Sequence, residues 1–108
     1  MHIATWNLRG ILDINKQKDL VKDLENYNVD ILTVQETYLR DTGSLDLPLG
    51  KSRNQFTLHY TGPKDSSHHG VGIIVRKDTP AKFRRISDRV CQLTIDLSEV
   101  EHKPSQKK

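Results

Sequence analysis

Apolar and polar positions along the chain change their period several times, and each change marks an element. His2 to Leu8 ("HIATWNL") has the β-branched and aromatic content of a strand, which Arg9-Gly10 ends. From Asn15 onward Leu20, Val21, Leu24 and Tyr27 recur at helical spacing, with Lys18, Asp19, Lys22, Asp23 and Glu25 on the opposite side. This predicts an amphipathic helix with Asn15 as its N-cap and Asn28 as a left-handed terminator. Asp30 leads into Ile31, Leu32, Thr33 and Val34, a short run of the kind a central strand of a parallel sheet carries. Strand, helix and strand in this order read as a right-handed βαβ unit.

The stretch from Arg40 to Asn54 ("RDTGSLDLPLGKSRN") follows neither period and is rich in turn formers, which predicts a long loop. Phe56 to Tyr60 and the apolar run Gly70 to Arg76 ("GVGIIVR") then predict a hairpin closed by "TGPKDSSHH". Lys82 to Ile86 and Val90 to Leu97 make a second pair. In the last strand Val90, Gln92, Thr94 and Asp96 share one face, and Cys91, Leu93, Ile95 and Leu97 the other, so Cys91 is expected to point inward. Trp6, alternating with Thr5 and Asn7 inside a strand expected to be central, is read as a core residue rather than a base-stacking platform.

Composition narrows the class. A chain of 108 residues, 34% hydrophobic and 29% charged, suffices for one small α/β (α+β) domain, expected over residues 1–98, with 99–108 as a flexible charged tail. Its longest apolar runs fall far short of the roughly 20 residues a membrane span needs, so no membrane partner is expected. The single cysteine, Cys91, has no partner for an internal disulfide, which fits a reducing intracellular setting, nucleus or cytoplasm. A net charge of +3, from 17 basic and 14 acidic residues, leans only slightly towards polyanionic partners.

Candidate chemistry gathers at the strand ends. Asn7 stands near the carboxyl end of the first strand and Glu36 at the carboxyl end of the second, the edge where open α/β sheets bind ligands. Neighbouring parallel strands lie about 4.8 Å apart, which predicts the two side chains within about 6 Å of each other. A carboxylate beside a carboxamide suits a hard cation and a phosphate, since Mg²⁺ takes one or two protein carboxylates and completes its shell with water and phosphate oxygens. Two unrelated, solvated loop-edge residues are the plainer reading. His68 and His69 are adjacent, so in extended chain they point apart and read as turn residues, while His2, His59 and His102 are scattered. Lys82, Arg84 and Arg85, with Arg76 and Lys77 nearby, could meet phosphates, but such a run more often forms the solvated face of an edge strand.

The blocks "TWNLRG", "ILTVQET" and "HHGVGIIV", followed by "RVCQLTIDL", resemble the first blocks of the endonuclease/exonuclease/phosphatase superfamily. The resemblance is nearest to the apurinic-type endonuclease domain of non-LTR (LINE-like) retrotransposons. It implies half of a two-sheet α/β sandwich, a Mg²⁺-dependent DNA-nicking activity in which Mn²⁺ could replace Mg²⁺, and DNA as partner. It also implies that Asn7 orients the scissile phosphate and that Glu36 ligates the catalytic Mg²⁺, with Asn7 beside it in the metal site. The family's later blocks are a Tyr, an Asp-x-Asn pair and a terminal Asp-His pair. None follows the strand ending at Leu97, and "SDR" at Ser87 to Arg89 precedes a strand and has Arg where His is required. The chain is therefore expected to represent the amino-terminal half of such a domain, to bind the ion weakly and to be inactive by itself. It is also expected to self-associate through an uncovered apolar sheet face. Two other functions are carried beside this one: a truncated, non-catalytic interaction module, and a phosphoesterase of the same superfamily acting on another phosphate ester.

Overall fold

A computed structural model describes residues 1–52, 54–65 and 69–96. Along the chain run β1 (Ile3–Asn7), α1 (Ile14–Asn26), β2 (Ile31–Gln35), β3 (Thr42–Asp46), β4 (Phe56–Thr61), β5 (Val71–Arg76), β6 (Ala81–Arg85) and β7 (Cys91–Ile95). The first five strands form a mixed sheet in the order β1-β2-β5-β4-β3, in which only β1 and β2 are parallel, and β6 and β7 form a separate two-stranded sheet. This is a mixed α/β fold, compatible with half of a two-sheet sandwich.

Helix α1 covers one face of the large sheet. Leu20, Val21 and Leu24 bury against Leu32, Val34, Leu58 and Ile74, with Phe56 in the same core. The N-cap is Asp13 and not Asn15: the Asp13 carboxylate accepts the Asn15 N–H at 2.8 Å, so Asn15 is already inside the first turn. Asn28 does terminate the helix, with φ 53°. Its N–H bonds to the Glu25 carbonyl at 3.3 Å and that of Val29 to the Leu24 carbonyl at 2.9 Å, the paired bonds of a Schellman motif. Tyr27 is the cap residue itself, with φ −101°, so it leaves the helical stripe and stands in solvent.

Residues 42–46, expected in a loop, are the edge strand β3. Its own sequence, "TGSLD", carries little strand signal; the partner supplies it. The ladder to β4 pairs Thr42 with Thr61 and Asp46 with Thr57, the Thr57 hydroxyl donates to Asp46 Oδ1 at 2.8 Å, and Leu45 packs on the helix-side core.

The β6–β7 hairpin covers part of the opposite face. Phe83, Cys91, Leu93 and Ile95 pack on Ile31, Ile73 and Val75, which places Cys91 inward, where burial pushes its thiol pKa up. Ile86 and Val90 close the hairpin turn and are exposed. The expectations for Leu97 and for the tail 99–108 lie outside the described residues.

Strand β1 is an edge and not a central strand, and this corrects Trp6. Trp6 pairs in register with Val34, but among the described residues β1 has no neighbour on its outer side, and the indole is 50% exposed. Ile3, on the other face of the same strand, is 65% exposed.

His59 joins the two sheets. Its ring stacks on Phe83 with centroids 5.2 Å apart, and burial lowers its pKa from the ordinary 6.5 against a smaller opposing pull from Asp46. The unfolded chain therefore binds a proton that the fold resists. The stabilisation is complete above about pH 6.5 and is lost as pH falls through the lowered native pKa. Thermal midpoints measured from pH 7.5 down to 5 should fall in the unmutated chain and fall less in His59→Phe, which keeps a ring on Phe83 but removes the titration.

Candidate active site at the ends of two parallel strands

The parallel register sets Asn7 beside Gln35 at the carboxyl ends of β1 and β2. Beyond that point the two exit loops hold each other, with Leu8 N–H on the Gln35 carbonyl at 2.9 Å and Gly10 N–H on the Glu36 carbonyl at 2.8 Å. Side-chain alternation in β2 would send Glu36 to the helix side with Leu32 and Val34, whereas Asn7 and Gln35 share the other face. The backbone instead turns left-handed at Glu36, φ 54°, which breaks the alternation and brings the carboxylate to Asn7.

Both carboxylate oxygens are engaged. Asn7 Nδ2 donates to Oε2 at 2.9 Å and the Tyr38 hydroxyl to Oε1 at 3.1 Å. The Asn7 bond, then the Tyr38 bond, hold the Glu36 pKa below the usual carboxylate value; partial desolvation opposes them, and Arg9 and His69 add smaller electrostatic contributions. Glu36 is thus ionised at neutral pH. Tyr38, as the donor to an anion, has its pKa raised.

Neighbouring groups fix the surrounding loops. Lys16, from the first turn of α1, donates its ammonium to the carbonyls of Leu8 and Arg9, where β1 ends. Gly10 has φ 100°, and a Cβ there would stand 3.0 Å from the Tyr38 ring, so this position requires glycine for both reasons. Beside Glu36 opens a cleft of about 630 Å³ whose wall includes Gln35, Pro63, Asp65, His69, Asp88 and Arg89.

The structure thus brings Asn7 and Glu36 together. It does not gather the histidines: His2 Nδ1 lies 3.0 Å from the Asn28 carbonyl, His59 stacks between the sheets, His69 lines the cleft and His68 lies outside the described residues. Among the described residues no three His, Cys, Asp or Glu side chains are grouped to hold a metal ion. The basic residues are dispersed as well. Arg76 faces Asp30 at 3.6 Å and the Phe56 ring, Lys77 pairs with Asp46 at 3.1 Å, and Arg85 donates to Thr61 at 3.1 Å. Ser87 to Arg89 form a turn held by the Arg89 N–H on Ser87 Oγ at 3.2 Å. Tyr38, Lys16 and Arg9 escaped the sequence reading, because their roles come from loop conformations that no periodicity signals.

A family model, the Endonuclease/Exonuclease/phosphatase family, matches residues 4–98. The chain belongs to this family of phosphodiesterase- and nuclease-type proteins. Comparison with curated proteins and with solved structures gave no match. Among the described residues no helix is long and apolar enough to cross a membrane.

The Asn7 contact makes a direct prediction. In Asn7→Ala the Glu36 pKa should rise towards the ordinary 4.5, as read from a carbon-13 carboxyl titration by NMR. Because the native pKa is lowered, the bond's stabilisation is complete above about pH 4.5 and is lost as pH falls through the native value. An Asn7→Ala titration that overlays the unmutated one would contradict the assignment of the first cause.

Proposed function

We propose that this chain carries the metal and phosphate corner of a Mg²⁺-dependent phosphodiesterase of the retrotransposon, DNA-nicking type. The observation that carries the reading is the Asn7–Glu36 hydrogen bond across the carboxyl ends of parallel strands, which fixes an ionised carboxylate at an open edge. The donor set fits a hard cation. Each Glu36 oxygen accepts one hydrogen bond and keeps further lone-pair directions for an ion, and a single carboxylate suits Mg²⁺ when water and phosphate oxygens complete the shell. Asn7 spends one N–H on Glu36 and retains its Oδ1 and second N–H for the ion's shell or a phosphate oxygen. Bound there, Mg²⁺ or Mn²⁺ would neutralise phosphate charge as a Lewis acid.

One carboxylate supplies few ligand charges, so Mn²⁺ titration of the chain should show no site tighter than roughly millimolar. Hydrolysis also needs an activated water and a stabilised leaving oxygen, functions that the resemblance gives to the later Asp-x-Asn and Asp-His blocks. Residues 1–108 alone should therefore not nick supercoiled DNA. The chain joined to those blocks should nick, and Glu36→Gln in the joined protein should lower the rate by at least about a hundredfold, a loss expected for a group that acts on the reacting charge. Nicking by the joined Glu36→Gln protein at the unmutated rate would overturn the assignment.

We also propose that the chain self-associates through the open flank of β1, where Ile3 and Trp6, on its two faces, stand exposed beside a strand edge that is unpaired among the described residues and free of charged side chains. Sedimentation velocity should show a dimer, with Ile3→Lys shifting it to monomer. A monomeric unmutated chain at 100-micromolar order, about the range where weak contacts show, would contradict this.

A further inference from the structure

We propose that Tyr38 is a positioning residue, whose hydroxyl and ring together fix the direction in which the Glu36 carboxylate is presented. The proposal rests on the reading of Glu36 as a metal and phosphate group, and it assigns the residue that makes this group rigid. A carboxylate held by one donor still swings about its last torsion. Donors on both oxygens, Asn7 Nδ2 at 2.9 Å and Tyr38 OH at 3.1 Å, define its plane. The two donors arrive from different strands' ends, so neither loop can move without releasing one of them.

Tyr38 is held in place at a conformational cost. It has φ 62°, two residues after Glu36 with φ 54°, and a left-handed tyrosine is an outlier among bulky side chains. Such residues persist only where their surroundings over-determine them. They do so here. Tyr38 N–H bonds to the His69 carbonyl at 2.9 Å and Thr37 N–H to the Gly70 carbonyl at 3.3 Å. Thr37 is fully buried, and its hydroxyl oxygen accepts the Leu39 N–H at 3.3 Å. The Tyr38 ring occupies the space over Gly10, where any Cβ would meet Cδ2 at 3.0 Å. The ring thereby ties the exit loop of β1 to that of β2, and the hydroxyl reaches the carboxylate from that fixed base. Partners that orient a metal-ligating side chain in this way commonly govern affinity about tenfold to a hundredfold when removed.

Tyr38→Phe separates the two parts, because it keeps the ring on Gly10 and removes only the hydroxyl. Three-bond couplings across the Glu36 side chain, measured by NMR without metal, should report one rotamer in the unmutated chain and averaging in Tyr38→Phe. The thermal midpoint should fall by no more than a few degrees, about the loss expected for one hydrogen bond in a domain of this size. Mn²⁺ affinity of the chain should fall about tenfold. Equal couplings in the two proteins would overturn the proposal, and a larger fall in the midpoint with unchanged couplings would do the same by making Tyr38 merely structural. A fixed Glu36 that loosens in Tyr38→Phe, in a chain that binds no Mn²⁺ at all, would support the positioning role and overturn the metal reading.

Discussion

A parallel pair of strands places both carboxyl ends on one edge, and in this chain that edge receives Asn7 from β1 and Glu36 from the residue after β2. The register that pairs Asn7 with Gln35 decides how far apart these groups can be. An antiparallel β1 would have put Asn7 at the opposite end of the sheet from Glu36. A one-residue slip would have turned Asn7 to the helix side. The connection through α1 makes the pairing parallel, and α1 is anchored by Leu20, Val21 and Leu24 on the sheet. The site geometry therefore depends on apolar burial on the helix-covered face of the sheet.

The two faces of the sheet are covered unequally, and this sets where the chain is open. Helix α1 closes one face over β2, β5 and β4, while the β6–β7 hairpin lies on the other and bonds through Ile73, Val75 and the His59–Phe83 stack. Among the described residues neither cover reaches the outer side of β1. The same strand that supplies Asn7 thus carries the exposed Ile3 and Trp6. The edge strand thus combines a polar end with an apolar flank.

Electrostatics at the strand ends follows more from neutral donors than from neighbouring cations. Glu36 owes its lowered pKa first to the Asn7 amide and next to the Tyr38 hydroxyl, and less to Arg9 and His69. A carboxylate stabilised mainly by neutral donors keeps most of its charge uncompensated. On the proposed reading that charge is what an incoming cation would meet, whereas a salt-bridged carboxylate would first have to give up its partner.

Most elements are written locally. The apolar periods of α1, β2, β4 and β5, the β6–β7 alternation that points Cys91 inward, and the left-handed Asn28 stop are carried by residues adjacent in sequence. Asn7 and Glu36 were legible as strand-end polar residues because a parallel βαβ unit makes their proximity a consequence of strand spacing. Other features depend on partners distant in the chain. Strand β3 exists because β4 offers it a ladder, Trp6 is exposed because among the described residues β1 has no outer neighbour, and Tyr38 reaches Glu36 only through left-handed turns held by His69, Gly70 and Gly10. The N-cap fell to Asp13 and not Asn15 by the reach of one short carboxylate. Sequence by itself determined which segments could be helix or strand and which polar groups stood at their ends, since propensity and period act between near neighbours. Tertiary structure alone decided which edges stay open and which donors hold the Glu36 carboxylate, since pairing and strained turns are settled by contacts that the chain makes only when folded.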